Sequence, residues 1–155
     1  MLWSVFSRLL RDTRGTSLIE MSFIIPVLVM LGVGASDLAM CYARQLALQQ
    51  AAARTMEYAI AAGFGNVTSS QITTEGTTAA GSGNNVAVAS SLWLECDGVV
   101  QPTGTANCTG STSPARFASV TITDTYNWMF EQLVPTWNRQ PYSVPLRGYA
   151  EVRIQ

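Results

Sequence analysis

The feature that most constrains this chain is a stretch without any charged side chain, residues 21–36, close to the N-terminus. Extended back to Thr16, it covers 21 residues, of which Glu20 alone is ionisable. A helix of that length rises about 30 Å, which is the thickness of the hydrocarbon core of a bilayer. We therefore predict a transmembrane span over residues 16–36.

Charged residues are distributed unevenly around this span. Residues 1–15 contain three arginines and one aspartate, whereas residues 16–155 contain six arginines and nine acidic residues. Positively charged flanks of a transmembrane helix stay on the cytoplasmic side. The pattern predicts a single-pass membrane protein with a cytoplasmic N-terminus and with its remaining residues outside the cytoplasm.

Composition argues against most enzyme classes. Charged residues make up only 12% of the chain, and neither histidine nor lysine occurs. Without histidine there is no Ser-His-Asp or Cys-His nucleophile pair and no imidazole metal ligand. Without lysine there is no Schiff base, no P-loop lysine and no lysine-rich surface for nucleic acid. We expect a protein that is not an enzyme, has no cofactor and binds no nucleic acid.

Helical character continues beyond the membrane span. Residues 37–62 are rich in Ala, Leu, Gln, Arg and Met, and neither glycine nor proline interrupts them before Gly63. We predict one helix over residues 16–62, against the alternative of a separate amphipathic helix that covers a sheet. Its apolar face would contain Leu38, Cys41, Leu48, Ala52, Met56, Ala59 and Ile60, with Arg44, Gln50, Arg54 and Glu57 elsewhere on its surface.

The remaining residues, 63–155, predict a small β-rich domain. Residues 63–91 are dominated by Gly, Ser, Thr and Asn and indicate loop and weak strand. Later stretches alternate as strands do, so Val120 and Ile122 would face a core, as would Leu146, Val152 and Ile154. The predicted class is α+β: a long N-terminal helix, transmembrane in its first half, packed on a small antiparallel sheet.

The three cysteines fit an exported domain. Cys96 and Cys108 enclose a short polar loop, and a disulfide between them is permitted outside the cytoplasm. The alternative is two unpaired thiols in a reducing compartment. Cys41 is expected to be a small buried residue of the helix, with an intermolecular bridge as the alternative. Three cysteines without histidine make a poor zinc site, so no metal is expected.

A glycine and a glutamate mark the start of the membrane span. Gly15 precedes it, and Glu20 lies five residues further on, inside the border of the membrane. Carboxylates inside a membrane are costly and usually functional. The alternative is that Glu20 extends to the cytoplasmic interface, helped by the helix N-terminus.

In these residues the chain resembles type IV prepilins, and most closely the TadE-like pseudopilins of Tad/Flp pilus systems. The shared pattern is Gly-x-x-x-x-Glu after a short basic leader, with Pro26 six residues after Glu20. Met21 and Ser22 replace the Phe-Ala that usually follows the glutamate. Similarity extends to the helix at residues 42–46 and 50–54 and to the closing strands at 120–126 and 146–153.

The resemblance implies a mechanism of maturation and assembly. A prepilin peptidase would cut after Gly15, remove residues 1–15 as a cytoplasmic leader and expose a new amine on Thr16. Glu20 would then pair with the N-terminal amine of a neighbouring subunit. The implied partners are this peptidase, other pilins or pseudopilins, the pilus assembly platform of the bacterial inner membrane, and membrane lipid.

Two other functions fit parts of the sequence. A secreted or periplasmic binding domain could carry an ordinary signal peptide cleaved after Ala35, with Ser36 as its first mature residue. A minor pseudopilin of a type II secretion system is the other alternative, although Thr16 stands where that group usually has an aromatic residue or Met. The N-terminal residue of the mature protein distinguishes secretion from prepilin processing.

Overall fold

The computed structural model describes residues 14–63, 65–83, 85–101, 107–108, 110, 114–129 and 143–154, with side chains from residue 19 onwards. It confirms the α+β class: a long N-terminal helix and a four-stranded antiparallel sheet of order β2-β1-β3-β4. The chain divides into two compact units, Met1–Ala39 and Met40–Gln155. The elements are α1 (Arg14–Ala62), α2 (Ser69–Ala80), β1 (Ala87–Cys96), β2 (Val99–Val100), β3 (Pro114–Asn127) and β4 (Ser143–Arg153).

Helix α1 is continuous over the whole predicted range and passes through Pro26 without ending. Proline has no amide hydrogen, so one backbone hydrogen bond of this helix cannot form at Pro26. In the first unit the helix carries a large set of exposed apolar side chains. They are Ile19, Met21, Phe23, Ile24, Ile25, Val27, Leu28, Val29, Met30 and Leu31.

The second half of α1, from Met40 on, contributes one side of the core of the second unit. Leu48, Ala52, Met56 and Ala59 are buried together with apolar side chains of the sheet and of α2, and Cys41 is partly buried. Two residues of the predicted apolar face are not part of the core. About half of the surface of Ile60 is exposed, and Leu38, in the first unit, is equally exposed. Both lie at the margin of the predicted face.

Strand β3 lies between β1 and β4 and supplies the centre of the sheet. Its Ala118, Val120 and Ile122 are fully buried, and Thr123 on the opposite face is exposed, which confirms the predicted alternation. In β4, Leu146 is buried, and Val152 and the following Ile154 are partly buried against the core as predicted, whereas Glu151 is exposed. The core therefore lies between α1, α2 and one face of the sheet.

Helix α2 was not predicted, because its composition is typical of a loop. Thr68 and Gln71 form a capping box at its N-terminus: the Thr68 hydroxyl accepts from the Gln71 amide, and the Gln71 side chain accepts from the Thr68 amide. Its buried residues Ile72, Gly76 and Ala80 recur every four positions and face the core. Packing of this narrow face overcomes the low helix propensity of the surrounding Ser and Thr residues.

The hairpin between β1 and β2 is built on Asp97 and Gly98. Both residues have positive φ, 51° and 81°. An Asp-Gly pair in this conformation is the preferred two-residue connection between antiparallel strands. The turn places the short strand β2 at one edge of the sheet, beside the end of β1 that carries Cys96.

Candidate functional site

The residues of the predicted prepilin motif lie at the start of α1. The helix begins at Arg14, so its first turn includes the backbone of Gly15 and Thr16. Residues 1–13, which make up most of the predicted leader, lie outside the described residues. Glu20 follows on the same helix and is exposed. Among the residues whose side chains the structure describes, none forms a hydrogen bond or ion pair with Glu20.

The apolar half of α1 is not covered by the rest of the chain. Of the described helices, α1 alone is long and apolar enough to cross a membrane, and its apolar part is almost entirely exposed. Phe23, for example, keeps 75% of its surface accessible. Exposed apolar area of this extent is unfavourable in water. The hydrocarbon core of a bilayer is an environment that these side chains fit, so α1 is compatible with a membrane anchor.

In the second unit α1 also presents exposed apolar side chains. Tyr42 and Leu46 are 68% and 56% exposed, and Ala53 and Ile60 are exposed as well. Their spacing of four, seven and seven residues places them on one face of the helix. We call Tyr42, Leu46, Ala53 and Ile60 the outer stripe.

An ion pair inside the second unit fixes α1 on the sheet. Arg44 Nε donates to Asp124 Oδ2 of β3 over 2.8 Å, and Nη1 donates to the Ala80 carbonyl at the end of α2 over 3.1 Å. The other carboxylate oxygen of Asp124 accepts from the Asn85 and Thr125 amides at 3.2 and 2.8 Å. One arginine and one aspartate thus join α1, α2, β3 and the loop before β1.

The surroundings of the pair favour the charged carboxylate. Burial of Asp124 opposes its ionisation, but hydrogen bonds from Arg44, Thr125 and Asn85, together with the charge of Arg44, outweigh burial and lower its pKa below the ordinary value. Gly83 leaves the room that the pair occupies: a Cβ at this residue would lie 2.5 Å from both Arg44 Nη2 and Asp124 Oδ2. A side chain at residue 83 would therefore displace the ion pair.

Removal of the charge of Asp124 is expected to destabilise the domain. Asp124→Asn keeps the shape but leaves the Arg44 guanidinium without its counter-ion, at a cost of about 3 kcal/mol. Because the pKa of Asp124 is lower in the folded protein, the carboxylate contributes fully to the free energy of unfolding above about pH 3.8, the ordinary pKa of the group. This contribution disappears as the pH falls through the pKa of the folded state. Denaturant unfolding at pH 7 and pH 3 should show a difference between the two proteins that shrinks at pH 3. Asp97→Asn, in an exposed turn, is the control and should match wild type.

A second contact holds α1 against strand β4. The Gln45 side chain donates to the Arg147 carbonyl over 2.8 Å and accepts from the Arg147 amide at 3.2 Å. One turn later the helix backbone approaches Gly148 so closely that a Cβ there would overlap the Leu48 carbonyl. Glycine at residue 148 is thus required by the close approach of two backbones.

The described cysteines have separate environments. Cys96 at the end of β1 forms a disulfide with Cys108, and their Cα atoms are 5.7 Å apart. The loop that it closes is attached to the sheet by a second contact, because Arg116 of β3 donates to Asn107 over 3.2 Å. Cys41 is a free thiol that is partly buried against the core.

Thiol labelling checks these assignments. Alkylation of the purified, unreduced protein in detergent is expected to modify Cys41 alone, and reduction should make three cysteines reactive. Replacement of Cys96 and Cys108 by serine should lower the free energy of unfolding by roughly 3 kcal/mol, since the disulfide restricts the unfolded chain. Mass spectrometry counts the labels, and three labels without reduction would contradict the bridge.

The contacts that hold α1 on the sheet were not foreseen from the sequence. Arg44 was assigned to the polar surface of the helix, and neither Gln45, Asp124 nor Gly148 was singled out. Within the described ranges no group of three Cys, Asp or Glu side chains is placed to hold a metal ion. Comparison of the chain with protein-family models, with curated proteins and with solved structures gives no match.

Proposed function

We propose that this chain is a TadE-like pseudopilin, a membrane-anchored structural component required for the assembly of Tad/Flp pili. The observation that supports this most is helix α1: one helix from Arg14 to Ala62, bare and apolar in its first part and packed on a small sheet in its second. A protein that anchors in a membrane and presents a folded domain outside it needs both parts.

Maturation begins in this proposal with cleavage after Gly15 by a prepilin peptidase on the cytoplasmic side. Glycine at this position allows the closest approach of an enzyme to the backbone, since it has no Cβ. Cleavage leaves an amine on Thr16 at the start of the membrane span. The mature protein keeps a single-pass topology in the inner membrane, with the domain from residue 63 onwards in the periplasm.

Glu20 has the role of pairing with the Thr16 amine of a neighbouring subunit. An exposed carboxylate on an apolar helix is unfavourable in lipid unless it finds a positive partner. Pairing between subunits supplies that partner and fixes the stagger between two helices, because a buried ion pair tolerates little displacement. The ionic contact thus selects one register among many that apolar packing would allow.

The outer stripe provides a contact surface for neighbouring pilins beyond the membrane. Tyr42 and Leu46 are large, apolar and more than half exposed, and the small Ala53 on the same face allows close approach of another helix. In a monomer such side chains gain nothing from their exposure. In this proposal, partner helices of other pseudopilins, held parallel by the same membrane, pack against the outer stripe.

A secreted binding domain is the main competing function, and one feature of the structure disfavours it. The alternative cleavage site, after Ala35, lies in the middle of α1 and is followed by helix as far as Ala62. N-terminal sequencing of the mature protein separates the proposals: Thr16 indicates prepilin processing, Ser36 a signal peptidase, and Met1 an uncleaved anchor. A type II pseudopilin would also begin at Thr16 and is distinguished by which deletion strain the gene complements.

Cleavage at Gly15 has a mass signature. Co-expression with the cognate prepilin peptidase is expected to shorten the chain by fifteen residues, as measured by intact mass. Gly15→Ala should be cut partly at best, and Gly15→Val should not be cut, since a larger side chain obstructs the scissile backbone. Gly34→Ala is the matched control, because a Cβ at residue 34 meets open space. Unchanged mass of the wild-type chain would contradict prepilin processing.

A further inference from the structure

We draw no further inference here: the strongest candidate, the outer edge of strand β4 at Tyr149, Glu151 and Arg153, carries none because nothing in the structure shows what covers it.

Discussion

Replacement of Gly148 by alanine is expected to destabilise the second unit by about 3 kcal/mol or more, because the new methyl group would overlap the carbonyl of Leu48. The overlap is with helix backbone, so no change of side-chain rotamer relieves it, and α1 has to move away from β4. Such movement also separates Gln45 from Arg147. For a chain of this size the midpoint of thermal unfolding should fall by roughly 6–12 °C.

The measurement is thermal unfolding in detergent, followed by near-ultraviolet circular dichroism. Gly65→Ala is the control: residue 65 lies between α1 and α2, and a Cβ there has no neighbour within 4 Å. That variant should unfold within about 2 °C of wild type, since surface substitutions change stability little. If Gly148→Ala behaved like its control, the close approach of α1 to β4 would be disproved.

Replacement of Glu20 by alanine is expected to abolish pilus assembly while leaving cleavage and membrane insertion intact. If Glu20 pairs with the Thr16 amine of a neighbouring subunit as proposed, loss of the carboxylate leaves that amine buried without a partner, at a cost of about 3–5 kcal/mol. A penalty of this size reduces association between helices by a hundredfold or more. Glu20→Asp should be intermediate, because the charge remains while its reach is shortened by one methylene.

Two measurements follow assembly: cross-linking of the mature protein to other pilins, and counts of surface pili in a complemented deletion strain. Glu57→Ala is the control, since Glu57 is an exposed glutamate on the same helix but within the second unit. It should assemble as wild type does. Normal pili from Glu20→Ala would show that the carboxylate has no part in assembly, whereas a failure of cleavage would place its role in processing.

The periodicity of apolar residues predicted those helices and strands in which one pattern repeats over several turns or several residue pairs. The alternation in β3 is confirmed, because Val120 and Ile122, two residues apart in this strand, both face the core. Helix α2 was missed because its composition is that of a loop, although two signals were available. One is the capping pattern of Thr68 and Gln71, and the other is the four-residue spacing of Ile72, Gly76 and Ala80.

The contacts between helices and strands could not be predicted from the sequence for a different reason. Arg44 and Asp124 are 80 residues apart, and nothing local to either residue indicates the other. Without knowledge of Asp124, an arginine at residue 44 of a helix is expected to be exposed, because arginines are seldom buried unless they are paired. Gly148 likewise gives no local sign of its role, since its requirement arises only when α1 is brought against β4.

The double hydrogen bond of Gln45 has a consequence for aggregation. β4 is an edge strand, and such strands offer backbone groups to which foreign chains can attach and propagate fibrils. Gln45 occupies the amide and carbonyl of Arg147, and Pro145 two residues earlier has no amide hydrogen to offer. Between Pro145 and Arg147 an intruding strand therefore finds few free backbone groups, and beyond Arg147 the residues Glu151 and Arg153 place charges along the edge. One glutamine of the helix thereby shortens the length of edge on which intermolecular β-structure can grow.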